Sequence, residues 1–175
     1  MTAVGGGSGT CSVKDSPWPE WFDESRIYYL GGPMMAMRAG LLSRGQLRQV
    51  YRNMVNSKHY SGAATIGIVN FPPYPAGFFG NPVMKPYGYQ NAGDWTWWGG
   101  RTVHELIRAD MVDEAYHELK PMLARVLEND GFYEYYTVEN EPKGSDAYRG
   151  SAGVLGKAIL MLRDWAKEHQ GEAGD

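Results

Sequence analysis

The chain has 175 residues, with 17 Lys and Arg against 20 Asp and Glu and a net charge of -3 at pH 7. That balance gives no electrostatic case for nucleic acid or an acidic membrane surface. No stretch approaches the roughly 20 apolar residues that cross a bilayer, and one cysteine, Cys11, excludes an internal disulfide framework. The length fits a single domain with a sizeable core.

Residues 1–16 read as a flexible tail, because Gly5-Gly6-Gly7-Ser8-Gly9 has linker chemistry. They lack the apolar run of a signal peptide. The domain proper is expected over 17–170. It opens with Ser16 to Arg26, where Asp23 and Glu24 stand among Trp18, Trp21 and Phe22. A helix is expected over about 31–41, from Met34, Met35, Met37, Leu41 and Leu42. Ser43 and Gln46 have capping-box spacing and open a second helix through Leu47, Val50, Tyr51, Met54 and Val55.

Residues 58–93 read as a long connection, since Pro72, Pro73, Pro75, Pro82 and Pro86 forbid regular helix. A loop of that length is functional or disordered. Its aromatic residues, among them Tyr74, Phe78 and Phe79, favour packing. Helix returns over about 95–108 and again over about 112–128. The latter pattern of Val112, Ala115, Tyr116, Leu119, Met122, Leu123, Val126 and Leu127 marks one buried face. Pro121 should bend that helix near His117. A last helix is expected over about 151–169, burying Val154, Leu155, Ala158, Ile159, Leu162 and Trp165. No strong sheet signal appears. The fold class is all-α.

The densest chemical signal is the segment from Tyr87 to Gly100, which holds Tyr89, Gln90, Asn91, Asp94, Trp95, Trp97 and Trp98. Gln90 and Asn91 offer paired donors and acceptors that suit sugar hydroxyls. Three Trp in four residues cannot all face one core, so at least one is free to stack on a sugar ring. Asp94 also suits the N-cap of the following helix. A second signal is Glu134, a lone carboxylate among Phe132, Tyr133, Tyr135 and Tyr136. Such surroundings control a carboxyl pKa, as a general base requires. A third is Gly144 to Gly153, where Arg149 has the chemistry to orient Glu134 and Ser151 that to cap a helix. His104-Glu105 lacks the second His of a zinc helix, and the four His show no metal-ligand spacing, so no metal or cofactor is expected.

Tyr89-Gln90-Asn91-Ala92-Gly93-Asp94-Trp95 resembles the YQNGG-x-W segment of six-hairpin glycosidases, with Ala92 where that group has Gly. Phe132 to Tyr136, followed by Gly144 and by Arg149 to Gly153, resembles the C-terminal stretch of the same group. The resemblance covers about residues 16–165. It implies helical hairpins of an incomplete (α/α)6 toroid with long aromatic loops. It also implies an inverting glycoside hydrolase in which Glu134 is the general base, and a missing N-terminal half of the toroid. On this reading the partner is a carbohydrate substrate, with no nucleic acid and no membrane. The catalytic candidates are Glu134 and Asp94, with Asp23 as another possible acid. The substrate-binding candidates are Tyr89, Gln90, Asn91, Trp95, Trp98, Tyr135 and Arg149. Two other readings stay open: a non-catalytic carbohydrate-binding helical fragment, and an epimerase or lyase on the same toroid.

Overall fold

A computed structural model describes Pro19 and residues 22–169. The expected tail, with Cys11, and the Trp18 and Trp21 side chains lie outside the described residues. The described chain is mostly helical, with α1 (Gly31–Arg38), α2 (Arg44–Ser61), α3 (Thr96–Arg108), α4 (Val112–Asn129) and α5 (Arg149–His169). Two short antiparallel pairs accompany them: β1 (Tyr28–Tyr29) with β2 (Asn70–Phe71), and β3 (Tyr135–Tyr136) with β4 (Pro142–Lys143). The absence of a sheet signal is thus corrected locally. Each strand has two residues, too few for a period-2 pattern to register.

Local chemistry fixes the helix ends. Ser43 and Gln46 form the expected capping box of α2, which closes on a left-handed Gly62. The cap of α3 is Trp95, with no side-chain bond, so the N-cap reading of Asp94 is corrected. Ser151 lies inside α5, and its hydroxyl donates to the Tyr133 carbonyl at 2.9 Å.

Helices α3 and α5 run side by side in the same direction. Gly100 faces Val154 near their starts, and Asp110 just beyond α3 accepts the Trp165 indole N–H at 3.2 Å. Helix α1 packs on α3 with the same sense, since Gly31 touches the Trp98 ring at one end and Arg38 neighbours Arg108 at the other. Helix α4 returns antiparallel and packs on α3 through Met122 against Gly99. The core between these helices is built from residues such as Leu30, Met34, Val103, Leu106, Leu119, Met122 and Leu155.

The buried face of α4 differs from the apolar pattern. Ala115, Glu118, Leu119, Met122 and Arg125 point inward, whereas Tyr116 and Leu127 are 62% and 83% exposed. On α5, Ile159 is exposed as well. The reason is polar: Glu118 receives Lys58 at 2.6 Å and the Tyr51 hydroxyl at 3.1 Å, both from α2. A buried carboxylate holding its cation and a donor turns the helix about its axis, because an unpaired buried charge costs more than a few exposed apolar groups. Pro121 lies inside α4, which continues as one helix to Asn129.

His104 of α3 is buried, with Nε2 2.8 Å from the Val154 carbonyl, so the neutral ring donates to α5. Burial holds its pKa below the ordinary 6.5, against an opposing contribution from that hydrogen bond. As pH falls through 6.5 the unfolded chain takes up a proton that the folded chain refuses. The stability contributed by a neutral His104 is therefore complete above that value and declines on acidification until the lowered folded pKa is reached. In urea melts compared between about pH 7.5 and about pH 5, wild type should lose more stability than His104→Gln, whose amide donates without titrating. Equal losses would remove His104 as the sensor.

Candidate functional site

The loop before α3 is held by buried amides. Asn91 is fully buried; its Oδ1 accepts the Tyr74 N–H at 2.7 Å, and its Nδ2 donates to the Tyr74 and Met84 carbonyls. Its polar atoms are spent on backbone, which corrects the expectation that they hold sugar hydroxyls. Asn70 similarly accepts the Ala92 N–H at 2.7 Å. These bonds force an unusual backbone, in which Tyr87, Tyr89 and Ala92 all have left-handed φ.

Asp94 is likewise fully buried. Its carboxylate accepts the Thr65 N–H at 3.0 Å and hydroxyl at 2.5 Å, and it pairs with Arg125 of α4 at 2.5 Å. Both oxygens are thus occupied inside the protein, and Asp94 is an anchor with no path to a substrate. Its backbone exchanges both hydrogen bonds with Tyr136 of β3, while the Arg125 guanidinium stacks 4.1 Å over the Tyr136 ring. Asp94 therefore fastens the second signal to the first.

That fastening brings Glu134 to the aromatic segment. The Glu134 N–H donates to the Ser145 carbonyl at 2.9 Å, and its half-buried carboxylate lies against Gly144. Gly144 has φ +75°, and a Cβ there would collide with that carboxylate. Burial, then the neighbouring Glu134 carboxylate, raises the Tyr89 pKa, so the two side chains are close. Two further rings pack against Tyr89. Tyr89 stands edge-on to Trp95 at 5.1 Å and to Tyr135 at 5.5 Å, and Trp95 stacks on Tyr135 at 5.7 Å. Gly93 lets them close up, since any Cβ would strike the Tyr89 carbonyl. Trp95 itself is buried, with its indole N–H donating to the Tyr89 carbonyl at 2.8 Å. It is the back wall, and the half-buried Tyr89, Tyr135 and Tyr148 are the rings within reach of a ligand.

Gln90 and Trp98 belong to a neighbouring hollow of about 400 Å³, shared with Tyr29, Asn70, Tyr74 and Phe79. Behind it, Glu24 bonds the Tyr74 hydroxyl, and the Tyr29 hydroxyl lies 3.4 Å from the same carboxylate oxygen. Burial and then the bonds to Glu24 and Tyr29 raise the Tyr74 pKa. Sequence reading missed this linkage. The acids among aromatics near Glu24 were visible, but the partner sits fifty residues away in the proline-rich loop. Asp23 is exposed and caps a short 3-10 turn by accepting from Ser25. Arg149 lines a different hollow, with Trp97, Arg101 and Lys157. Thus Glu134, Tyr89, Trp95 and Tyr135 are brought together, Gln90 and Trp98 lie in the neighbouring hollow, and Arg149 lies apart from both groups.

Among the described residues no group of three or more His, Cys, Asp or Glu is placed to hold a metal ion, and no helix is long and apolar enough to cross a membrane. No family model and no curated protein matches the chain.

The anchor makes a direct prediction. Arg125→Met leaves Asp94 buried without its cation and should cost about 3–5 kcal/mol in denaturant unfolding. The double variant Arg125→Met, Asp94→Asn should regain part of that loss. A cost of the single variant below about 1 kcal/mol would show that this pair is not what fastens the two loops.

Proposed function

We propose that this chain supplies the general-base side of an inverting glycoside hydrolase site, on a toroid of helical hairpins that these residues form only in part. The observation that carries the reading is the setting of Glu134. Its carboxylate is half-buried and lies close enough to the Tyr89 hydroxyl to raise that phenol's pKa, and the Tyr89 ring meets Trp95 and Tyr135 edge-on. Rings of this kind offer apolar faces to the axial C–H groups of a pyranose. A carboxylate beside them has the chemistry to take a proton from a water attacking the anomeric carbon. Gln90 and Trp98, in the adjacent hollow, suit a second sugar ring.

An inverting reaction needs a second carboxyl roughly 6.5–9.5 Å from the first, leaving room for the water. Asp94 does not fill that role, because its charge is consumed by Arg125 and Thr65. The proposed acid therefore comes from outside the Glu134 cluster. This supports a second reading, in which the chain binds carbohydrate without cleaving it.

With hydrolysis of a glycoside panel by the whole protein as the readout, Glu134→Gln should lower turnover at least about a hundredfold, the range expected for loss of a general base. Sugar binding, followed by Trp fluorescence, should survive. Near-normal turnover in the variant would take Glu134 out of the mechanism. Sugar binding by the wild-type protein with no hydrolysis of any glycoside would favour the second reading.

A further inference from the structure

On the far side of Trp97 from the Trp98 hollow, α1, α3 and α5 enclose a space of about 410 Å³. Five cationic side chains line it: Arg38, Arg101, Arg108, Arg149 and Lys157. No Asp or Glu does. The nearest carboxylate in a bond with any of them is Glu105, which pairs with Arg108 and is itself buried. Five cations less one carboxylate leave a local formal charge of +4, in a chain whose net charge is -3.

Like charges gathered around one concavity repel each other, and the contact of α3 with α5 has uncharged groups at its centre. Among them are Gly100 and His104 against Val154, and Trp97 against Gly150. One of the five is also preset. The Arg101 guanidinium lies 4.1 Å over the Trp97 ring, and its buried Nε has no hydrogen-bond partner. Stacking fixes the plane of the guanidinium fork, which is the arrangement that takes an oxyanion through paired N–H groups. Arg149 and Lys157 are exposed and two turns apart on α5, and both line the hollow. A concavity of one sign of charge with an aromatic wall raises the local concentration of ions of the opposite sign.

We infer that the hollow between α3 and α5 is a binding site for a small organic oxyanion, a phosphate or carboxylate carried on a ring or short chain. Its volume lies in the range of small-molecule pockets and exceeds what a bare ion fills. The inference does not depend on the role proposed for Glu134.

The test is titration of the full chain, followed by Trp fluorescence, with glucose 6-phosphate, with glucuronate and with uncharged glucose. At least one charged probe should give a saturable change that weakens in high salt. Glucose over the same range should give a different response or none, since any sugar binding at the Glu134 cluster does not require a charge. The double variant Arg149→Gln, Lys157→Gln, at two exposed positions, should weaken the charged probe at least tenfold while leaving the unfolding midpoint in place. Tighter phosphate than glucuronate assigns a phosphoryl group, and the reverse order assigns a carboxylate. No saturable response to either charged probe, an equal response to glucose, or an unchanged affinity in the double variant would overturn the site.

Discussion

The buried pair of Asp94 and Arg125 is the constraint on which the arrangement depends. Each side chain is 1% exposed, and their contact joins the loop before α3 to the middle of α4. Two charges out of water are tolerable only when paired and hydrogen-bonded; the carboxylate meets both conditions, whereas the Arg125 Nε and Nη1 are buried with no hydrogen-bond partner. Thr65 contributes its N–H and hydroxyl, and Tyr136 its ring face over the guanidinium. The backbone of Asp94 meets that of Tyr136, and Trp95 donates to the Gly67 carbonyl. Four segments distant in sequence therefore converge on one ion pair. The position of Glu134, two residues before Tyr136, follows from it.

The helices then decide where a ligand has access. Because α1, α3 and α5 share a direction, their starts lie at the same end, and that end carries Gly31, Trp97, Trp98 and Gly150 in mutual contact. Loops 63–95 and 130–148 fold over it. The edge-on contact of Trp97 with Trp98 at 4.5 Å divides the space, leaving an uncharged aromatic hollow on one side and a cationic one on the other. Trp95, one turn earlier, backs the Glu134 cluster. The three tryptophans, so close in sequence, thus belong to three different walls.

Much of this was legible in the residues. The five helices fall close to their expected spans, because capping chemistry and apolar spacing are local signals. The grouping of Glu134 with Tyr89 and Trp95 was expected from composition and motif alone. What was not legible is which polar groups are spent internally. Asn91 and Asp94 have the same chemistry as side chains that hold sugars; only their backbone partners at Tyr74 and Thr65 reveal them as supports. The apolar pattern on α4 misled for a related reason. Glu118 and Arg125 occupy the helical spacing of Ala115 and Met122, and their distant partners Lys58 and Asp94 draw them inward. The helix is thereby turned, and Tyr116 and Leu127 are left outside. No property of residues 112–129 alone contains that information.

Two carboxylates in similar aromatic company thus acquire opposite duties. Asp94 meets a guanidinium and two Thr65 donors and is sealed; Glu134 meets a phenol and a glycine and stays reachable. The contrast is set by what stands opposite each acid. A cation in a dry site occupies a carboxylate's lone pairs and ties it to the scaffold. A phenol beside a carboxylate carries no positive charge to consume it. Ala92 illustrates the cost of holding this contrast in place. It adopts φ +64° and is wholly buried, a conformation that costs a non-glycine residue about 1 kcal/mol or more. The loop tolerates that strain because Asn70 and Asn91 bond its backbone on both sides. The same bonds keep Tyr89 facing Glu134. Strain, anchor and reachable carboxylate are in this sense one design, distributed over a loop too irregular to be read from periodicity.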